Sequence, residues 1–440
     1  MSTRSRRGEL ETAARPPEPQ ESKAARLKKK VKGIRSRPRE GAYEYIFLAT
    51  VTMIVLALGV VMVFSASLAS AYFDNQDSYY FLKRELLYAG IGLALMFALA
   101  RYDFTRLRKL APALMGVSLV GLVLVFVPGL GVAAKGAHRW LGFGLATFQP
   151  SEFAKISVIL FVAAVMSLRP RLLGSLRDMF VPVLLLPIGA CGLVLVEPDL
   201  GTTITIAVTV AGMLVISGIN LRMLVPPALG AGVLMLISIL VSPHQMDRIT
   251  AFLDPWKDAT GTGHQIIQSW VAIGSGGLSG VGLGNSVQKF NYLPEPHTDM
   301  IFSIIGEEIG ILGVLLVVGG FAAFAFMGYR IALKCRNPFG KYVAAGITSM
   351  MVGQAAINLC AVTGLMPLTG VPLPLISYGG SSLVVILAST GILLNIAINP
   401  RGKIAAAPQR KPKAAKSGNR GRGNGRPSGS GSGPRRRALG

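Results

Sequence analysis

An acidic stretch at the head of a long apolar segment contains the side chains best suited to chemistry. Carboxylates at membrane depth are costly and are usually retained for a function. The question of what this chain does therefore begins with this stretch. Its ionisable residues are Glu295, His297, Asp299, Glu307 and Glu308.

Helical geometry predicts which of these acids share one face. Thr298 follows two closely spaced prolines and is a suitable N-cap, which places Asp299 in the first helical turn, where the helix dipole favours a carboxylate. Glu307 then lies about 80° around the helix from Asp299, whereas Glu308 lies about 180° away. We therefore predict that Glu307, and not Glu308, shares a cavity with Asp299. A purely capping role for Asp299 is the alternative.

Two more polar clusters lie before this stretch in the chain. Glu152 and Lys155 stand three residues apart at the start of an apolar segment. If the pair is exposed, it stabilises the helix by only about 0.2–0.5 kcal/mol. If it is partly buried and Arg139 lies next to it, the three residues would form a cationic lining for an anion. Asp199 lies in a tight turn, where it is expected to cap the next helix, and capping is compatible with a functional role.

A fourth cluster, residues 364–382, contains three closely spaced prolines, Pro367, Pro372 and Pro374. They forbid a continuous helix. Broken backbone at membrane depth is tolerated only where protein covers it or where it lines a wet cavity. The glycines and serines that follow, Ser377 among them, could offer N–H groups to an anion. A plain loop before the last apolar segment is the alternative.

Composition predicts an all-α integral membrane protein. Hydrophobic residues make up 51% of the 440-residue chain, and the mean hydropathy is +0.52. Apolar runs long enough to cross a bilayer recur along it. We predict ten transmembrane helices, at about 46–67, 85–100, 110–127, 152–167, 179–196, 201–217, 223–241, 301–327, 342–363 and 382–398.

The net charge of +24 is concentrated in the two tails. Residues 1–40 hold 13 Lys and Arg against 5 acids, and residues 401–440 hold 12 and none. This distribution argues against a nucleic-acid partner and predicts disordered basic tails that could touch anionic membrane lipids. We expect three regions: the tail 1–40, a membrane domain 41–400, and the tail 401–440.

Basic residues also predict the orientation. Dense Lys and Arg clusters and both tails fall on one side, which is cytoplasmic by the positive-inside rule. The four polar clusters then lie on the outer side, together with one large extracytoplasmic loop, 242–298. Within this loop, apolar spacing over 263–273 predicts a short helix on the membrane surface. The glycine-dense segment 274–284 lacks nucleotide-binding patterns and is expected to be a close-packing loop or a hinge. Three cysteines match neither a disulfide framework nor a metal site.

Four motifs, in this order, resemble the SEDS family (shape, elongation, division and sporulation). The resemblance extends over nearly all of 41–400, and 285–289 is more similar to the FtsW division branch than to the RodA elongation branch. The motifs are 148–152, 197–203, 294–308 and 372–381.

The resemblance implies a ten-span peptidoglycan glycosyltransferase of the bacterial cytoplasmic membrane that uses lipid II and works with a class B penicillin-binding protein. Other membrane proteins of the division machinery and a location at the septum are implied by the division branch, while the elongation and sporulation branches stay open. The family's catalytic aspartate falls on Asp299, and its essential outer-loop arginine falls on Arg139.

The chemistry fits a single base. Glycosidases commonly need two carboxylates because an alkoxide leaves poorly, whereas a diphosphate leaves without a proton if cations compensate its charge. Asp299 is the candidate base, and Arg139 and Lys155 are candidates for the diphosphate. A divalent cation, Mg or Mn, could assist them. The residues expected to support the cavity are Glu152, Asp199, Glu295, His297, Glu307 and Ser377.

A lipid II flippase is the main rival function, since intramembrane charges and broken helices also suit transport. A flippase needs a site that is reachable from both sides, whereas the polar clusters here are predicted to gather on one. A scaffold that only recruits division proteins makes no use of Asp299 and its neighbours.

Overall fold

The computed structural model describes residues 41–134, 137–143, 146–290 and 292–402. The two predicted disordered tails lie outside the described residues, apart from the first two positions of the second. Most described residues are helical. The helices are α1 (Ala42–Asn75), α2 (Tyr80–Arg101), α3 (Leu107–Leu124), α4 (Pro150–Leu168), α5 (Leu176–Met179), α6 (Leu185–Val196), α7 (Leu200–Ile216), α8 (Val225–Val241), α9 (Pro243–Leu253), α10 (His264–Ser275), α11 (Ile301–Glu308), α12 (Ile311–Lys334), α13 (Pro338–Val362) and α14 (Gly380–Ile398).

Eight helical segments of the described chain are long and apolar enough to cross a membrane. The predicted class of helical membrane protein is thereby confirmed. Helix α7 is a shorter apolar helix of 17 residues, and α2 has 22 residues but carries Lys83, Arg84 and Glu85 near its start. These two helices account for the difference between eight segments and the ten predicted spans.

The prediction of one continuous span over 301–327 is wrong, because the helix is broken between α11 and α12. The break is at Gly310, whose φ of 70° and ψ of −155° only glycine adopts readily. The glycine-dense loop supplies the backbone partners that the break requires. The N–H of Val281 donates to the Glu307 carbonyl at 2.9 Å, and the N–H of Ile311 donates to the Gly277 carbonyl at 3.0 Å.

Close approach explains the glycines of that loop. A Cβ at Gly276 would lie 1.9 Å from the Gly306 carbonyl oxygen, and one at Gly280 would lie 2.2 Å from that of Glu308. The expectation of a close-packing loop is confirmed. The irregular backbone at the break is thus covered by protein, and its polar groups find partners there.

The predicted helix at 263–273 is found as α10, and it packs inward. Ile266 and Ile267 are buried, and the Ser269 hydroxyl lies 2.7 Å from that of Ser303 on α11. The buried face of α10 therefore covers α11. Trp270 and Val271 of the same helix stay exposed, and its position on the membrane surface stays a prediction.

A small antiparallel sheet lies between α3 and α4, a feature that the sequence did not predict. Its strands, β1 (Gly131–Ala134), β2 (Ala137–Phe143) and β3 (Ala146–Phe148), pair in chain order. Four- and three-residue strands leave too little alternation to recognise. Strand β2 carries Arg139.

The segment 364–379 is not helical, as its prolines predicted, and its residues 371–377 are largely buried. Two helices approach this segment closely through glycines. A Cβ at Gly59 of α1 would lie 2.3 Å from the Leu375 carbonyl oxygen, and one at Gly201 of α7 would lie 2.0 Å from the Val371 side chain. Leu375 itself has a φ of 64°, a strained conformation for a branched residue.

Candidate active site

Asp299 lies in the turn before α11 and is half-buried. The N-cap of α11 is Met300, so the prediction that Thr298 caps this helix is wrong. The Thr298 hydroxyl is used locally instead, since it lies 3.1 Å from both the Glu295 carbonyl oxygen and Asp299 Oδ1. Asp299 is therefore held just outside the helix, with its carboxylate braced by the neighbouring hydroxyl.

Asn358 of α13 fixes the backbone on which Asp299 sits. Its Nδ2 donates to the carbonyl oxygens of Asp299 and Val371, both at 2.8 Å. One buried amide thus ties the Asp299 turn to the broken segment 364–379. Sequence reasoning missed Asn358 because an amide within an apolar helix gives no local signal of its partners.

Arg248 of α9 is the second residue that the sequence did not single out. Its Nη1 donates to the Leu368 carbonyl at 3.0 Å. A Cβ at Gly370 would lie 3.6 Å from Arg248 Nη1 and 4.0 Å from Asp299 Oδ2, so the guanidinium and the carboxylate flank the same glycine. Burial lowers the pKa of Arg248, and the charge of Arg139 lowers it further, whereas Asp299 and Asp199 oppose the shift.

Arg139 braces the turn between α6 and α7. Its Nε donates to the Glu197 carbonyl at 2.9 Å, and its Nη2 donates to the Pro198 carbonyl. Asp199 caps α7 as predicted, accepting from the Thr202 N–H at 3.0 Å. Because Arg139 and Asp199 both act on the pKa of Arg248, the four charged groups of this region form one electrostatic cluster. We call Arg139, Asp199, Arg248 and Asp299 the charged cluster.

Glu197 adds a buried acid beside the charged cluster. Its pKa is raised from 4.5 to about 8, mainly by burial and also by the neighbouring Asp199, while Arg139 opposes the shift. The folded protein therefore binds more protons here than the unfolded chain between about pH 4.5 and 8, and this contribution to stability falls as the pH rises through that window.

We expect Glu197→Gln to remove this pH dependence. Thermal unfolding in detergent from pH 5 to 9 should show the midpoint of the variant rising relative to the wild type across the window and levelling off above it. Parallel curves for the two proteins would contradict a buried neutral Glu197.

Lys155 and Glu152 form a buried pair on α4. Lys155 Nζ lies 2.9 Å from the Glu152 carboxylate and 2.8 Å from Gln354 Oε1, and the two side chains are 2% and 3% exposed. Gln354 Nε2 donates in turn to the Pro372 carbonyl at 2.9 Å. The pair thus supports the broken segment through Gln354. The predicted contact of Lys155 with a diphosphate stays a prediction.

Glu307 and Glu308 both bind loop segment 276–289. The Ser286 hydroxyl and the Val287 N–H donate to Glu307, and Lys289 pairs with Glu308 at 3.1 Å. Helical geometry predicts that the two acids face different surroundings. Both instead bind residues of the same loop, because the loop wraps around the end of α11. A cavity shared by Glu307 and Asp299 stays a prediction.

His297 and Ser377 organise the backbone next to Asp299. The His297 carbonyl accepts from the Tyr378 N–H at 2.9 Å, and its ring centroid lies 4.2 Å from that of Phe81. Ser377 Oγ accepts from the Leu373 N–H at 2.7 Å. Glu295, with a φ of 53°, forms the strained start of the Asp299 turn.

Within the described ranges, no three His, Cys, Asp or Glu side chains are grouped so as to hold a metal ion. A dedicated protein cage for a divalent cation therefore does not fit these residues. A cation held mainly by substrate phosphates would need only one or two carboxylates. The predicted Mg or Mn stays a prediction, and no step below passes through it.

The fold and this site define a helical membrane protein in which broken backbone carries a half-buried carboxylate beside the Arg248 guanidinium. The chain belongs to the FtsW/RodA/SpoVE family of cell cycle proteins, which it matches over residues 45–402. The predicted SEDS resemblance is thereby confirmed.

Relatives and solved structures agree with this assignment. Stage V sporulation protein E of Bacillus subtilis is 42% identical over 352 residues, covering 80% of this chain and 96% of that protein. The probable peptidoglycan glycosyltransferase FtsW of Geobacter metallireducens is 40% identical over 361 residues, with 82% and 96% covered. A solved structure of a peptidoglycan synthase complex that coordinates polymerization and crosslinking aligns with a TM-score of 0.65 at 31% identity, covering 80% of this chain and 97% of that one.

Proposed function

We propose that this protein is a peptidoglycan glycosyltransferase that polymerises lipid II into glycan strands at the outer face of the cytoplasmic membrane during cell division. The observation that carries the proposal is the placement of the Asp299 carboxylate and the Arg248 guanidinium at the same side of Gly370, where a Cβ would lie 4.0 Å from Asp299 Oδ2 and 3.6 Å from Arg248 Nη1. Similarity to relatives named FtsW and to a peptidoglycan synthase complex supports it. Similarity to a sporulation protein keeps septum formation in sporulation as the second branch.

Asp299 serves as the general base of the proposed reaction. Its carboxylate takes the proton of the acceptor's 4-hydroxyl while that oxygen bonds to the anomeric carbon of the donor. The bond from this carbon to the diphosphate breaks, and undecaprenyl diphosphate leaves with the electron pair. Attack opposite the leaving group inverts the anomeric centre.

Arg139 and Arg248 compensate the charge of the departing diphosphate. Each side chain is half-buried, and each donates hydrogen bonds to backbone carbonyls that fix its direction. A guanidinium has five N–H donors, so both retain donors for phosphate oxygens. Two like charges held close together are unfavourable on their own, and a bound dianion would relieve that repulsion.

The reaction requires the charged cluster to face the outside. The dense basic clusters and the N- and C-termini would then be cytoplasmic, as the positive-inside rule predicts. A class B penicillin-binding protein that crosslinks the new strand is the proposed partner, and other division proteins of the membrane would join them. The similarity to a complex that couples polymerization and crosslinking supports such a pairing.

Arg248→Ala is expected to raise KM for lipid II and to lower kcat/KM about 100-fold, since a charge-assisted contact to the leaving group is lost. Arg248→Lys should recover only part of the loss, because an ammonium lacks the planar fork. Steady-state polymerisation by the purified protein at varied lipid II measures both effects. Arg222→Ala, at an exposed position elsewhere, is the control. An Arg248→Ala enzyme with wild-type kcat/KM would remove Arg248 from the proposed site.

The function itself is tested by incubating purified protein with lipid II and a class B penicillin-binding protein in detergent. Glycan strands and released undecaprenyl diphosphate are the expected products. Detergent abolishes the two compartments, so transport alone would give no signal in this assay.

A further inference from the structure

A second group of charges is buried at the far end of α11 from Asp299. Lys289 and Glu308 are paired at 3.1 Å, with side chains 1% and 0% exposed. Lys289 Nζ also donates to the Gly284 carbonyl at 2.6 Å. The Ser65 hydroxyl of α1 donates to the Glu308 carboxylate at 2.7 Å. The pair therefore joins the outer loop, α11 and α1 at one point.

The outer loop is fastened to the same helix end by its backbone. The N–H of Gly282 donates to the Glu308 carbonyl at 3.1 Å, and the N–H of Ser286 lies 3.4 Å from Glu308 Oε1. The last carbonyls of a helix have no partner within the helix, and this loop supplies partners to those of α11. Loop segment 276–289 and α11 are thus bound as one unit.

Stability alone does not explain a buried ion pair. Taking two charges out of water costs several kcal/mol per ion, and a well-packed apolar pair is often as stable or more so. The ion pair instead fixes the position of loop segment 276–289 relative to α11, because its hydrogen bonds can form in only one alignment of the two. Helix α11 has only eight residues and is therefore about 12 Å long. A shift or rotation of α11 at its Glu308 end therefore also displaces Asp299 at the other end.

We propose that Lys289 and Glu308 are positioning residues for glycosyl transfer: they set the register of loop segment 276–289 on α11 and so hold Asp299 beside Arg248. This inference rests on the proposed function. The pair makes no contact with substrate in this proposal. Replacing it should therefore lower kcat even in a variant whose unfolding midpoint is restored.

The test compares Lys289→Met, the double variant Lys289→Met/Glu308→Met, and the exposed-lysine control Lys257→Met. Lys289→Met should lower the unfolding midpoint and reduce kcat about 10- to 100-fold, with KM changed less than about twofold. The double variant should regain most of the unfolding midpoint while kcat stays at least about 10-fold low. Lys257→Met should match the wild type in both. Wild-type kcat in either Lys289 variant would overturn the proposal.

Hydrogen exchange gives a readout that does not need activity. In Lys289→Met, amides of 276–289 and 301–311 should exchange at least about 10-fold faster than in the wild type, because their shared anchor is lost. Unchanged exchange there overturns the positioning role whatever the enzyme does. A wild-type protein that makes no glycan overturns the proposed function instead, so the two failures are distinguishable.

Discussion

Asp299→Asn is expected to leave a folded, membrane-inserted protein that has lost polymerisation by about 1,000-fold or more. An amide keeps the shape of the side chain and the hydrogen bond with Thr298, and it cannot accept the acceptor's proton. The anchoring of this turn by Asn358 acts on the Asp299 backbone and is untouched by the substitution. We therefore expect the unfolding midpoint and lipid II binding to stay close to wild type.

The matched control for this variant is Asp254→Asn, at an exposed acid that follows α9. It should retain wild-type turnover. An Asp299→Asn protein that is stable and keeps wild-type turnover would point to the capping alternative, in which the side chain serves the turn and not the reaction, because asparagine caps a helix about as well as aspartate.

Gly310→Ala is expected to cause the largest loss of stability. A methyl group at this position would lie 2.5 Å from the Gly280 nitrogen and 2.8 Å from the Leu278 carbonyl oxygen. The backbone conformation there is also strained for any other residue. Strain and overpacking together predict a decrease in the free energy of unfolding of about 2–6 kcal/mol.

Gly319→Ala is the internal control for Gly310→Ala. Gly319 lies within α12, and a Cβ there meets nothing within 4 Å. Alanine in a helix interior is favoured over glycine by about 0.5–1 kcal/mol, so this variant should be unchanged or slightly more stable. Thermal unfolding of both variants in the same detergent measures the contrast. Equal midpoints would show that the break at Gly310 is not the conformation that the protein adopts.

Local sequence signals predicted those parts of the fold that depend on local chemistry. Asp199 caps α7 because a carboxylate before Leu200 can reach the Thr202 N–H. The prolines of 364–379 excluded a helix wherever that segment came to lie. Lys155 and Glu152 met because residues three apart share a helical face.

The missed features depend on contacts between distant parts of the chain. Hydropathy over 301–327 is continuous, so the break at Gly310 is visible only once the loop 276–284 is placed against it. Arg248 was one basic residue among several in a long loop. Its importance arises from the fold, which brings α9 to Gly370, about 120 positions later in the chain, and so to Asp299. No periodicity within either segment encodes that meeting.

The most direct test of the central claim is a comparison of wild type and Asp299→Asn in one reaction: equal amounts of purified protein in detergent, lipid II, and a class B penicillin-binding protein, with the products separated by chain length. We predict glycan strands from the wild type and none from Asp299→Asn. Strands of equal length and yield from both proteins would contradict Asp299 as the base, and their absence from both would contradict the assignment as a lipid II polymerase.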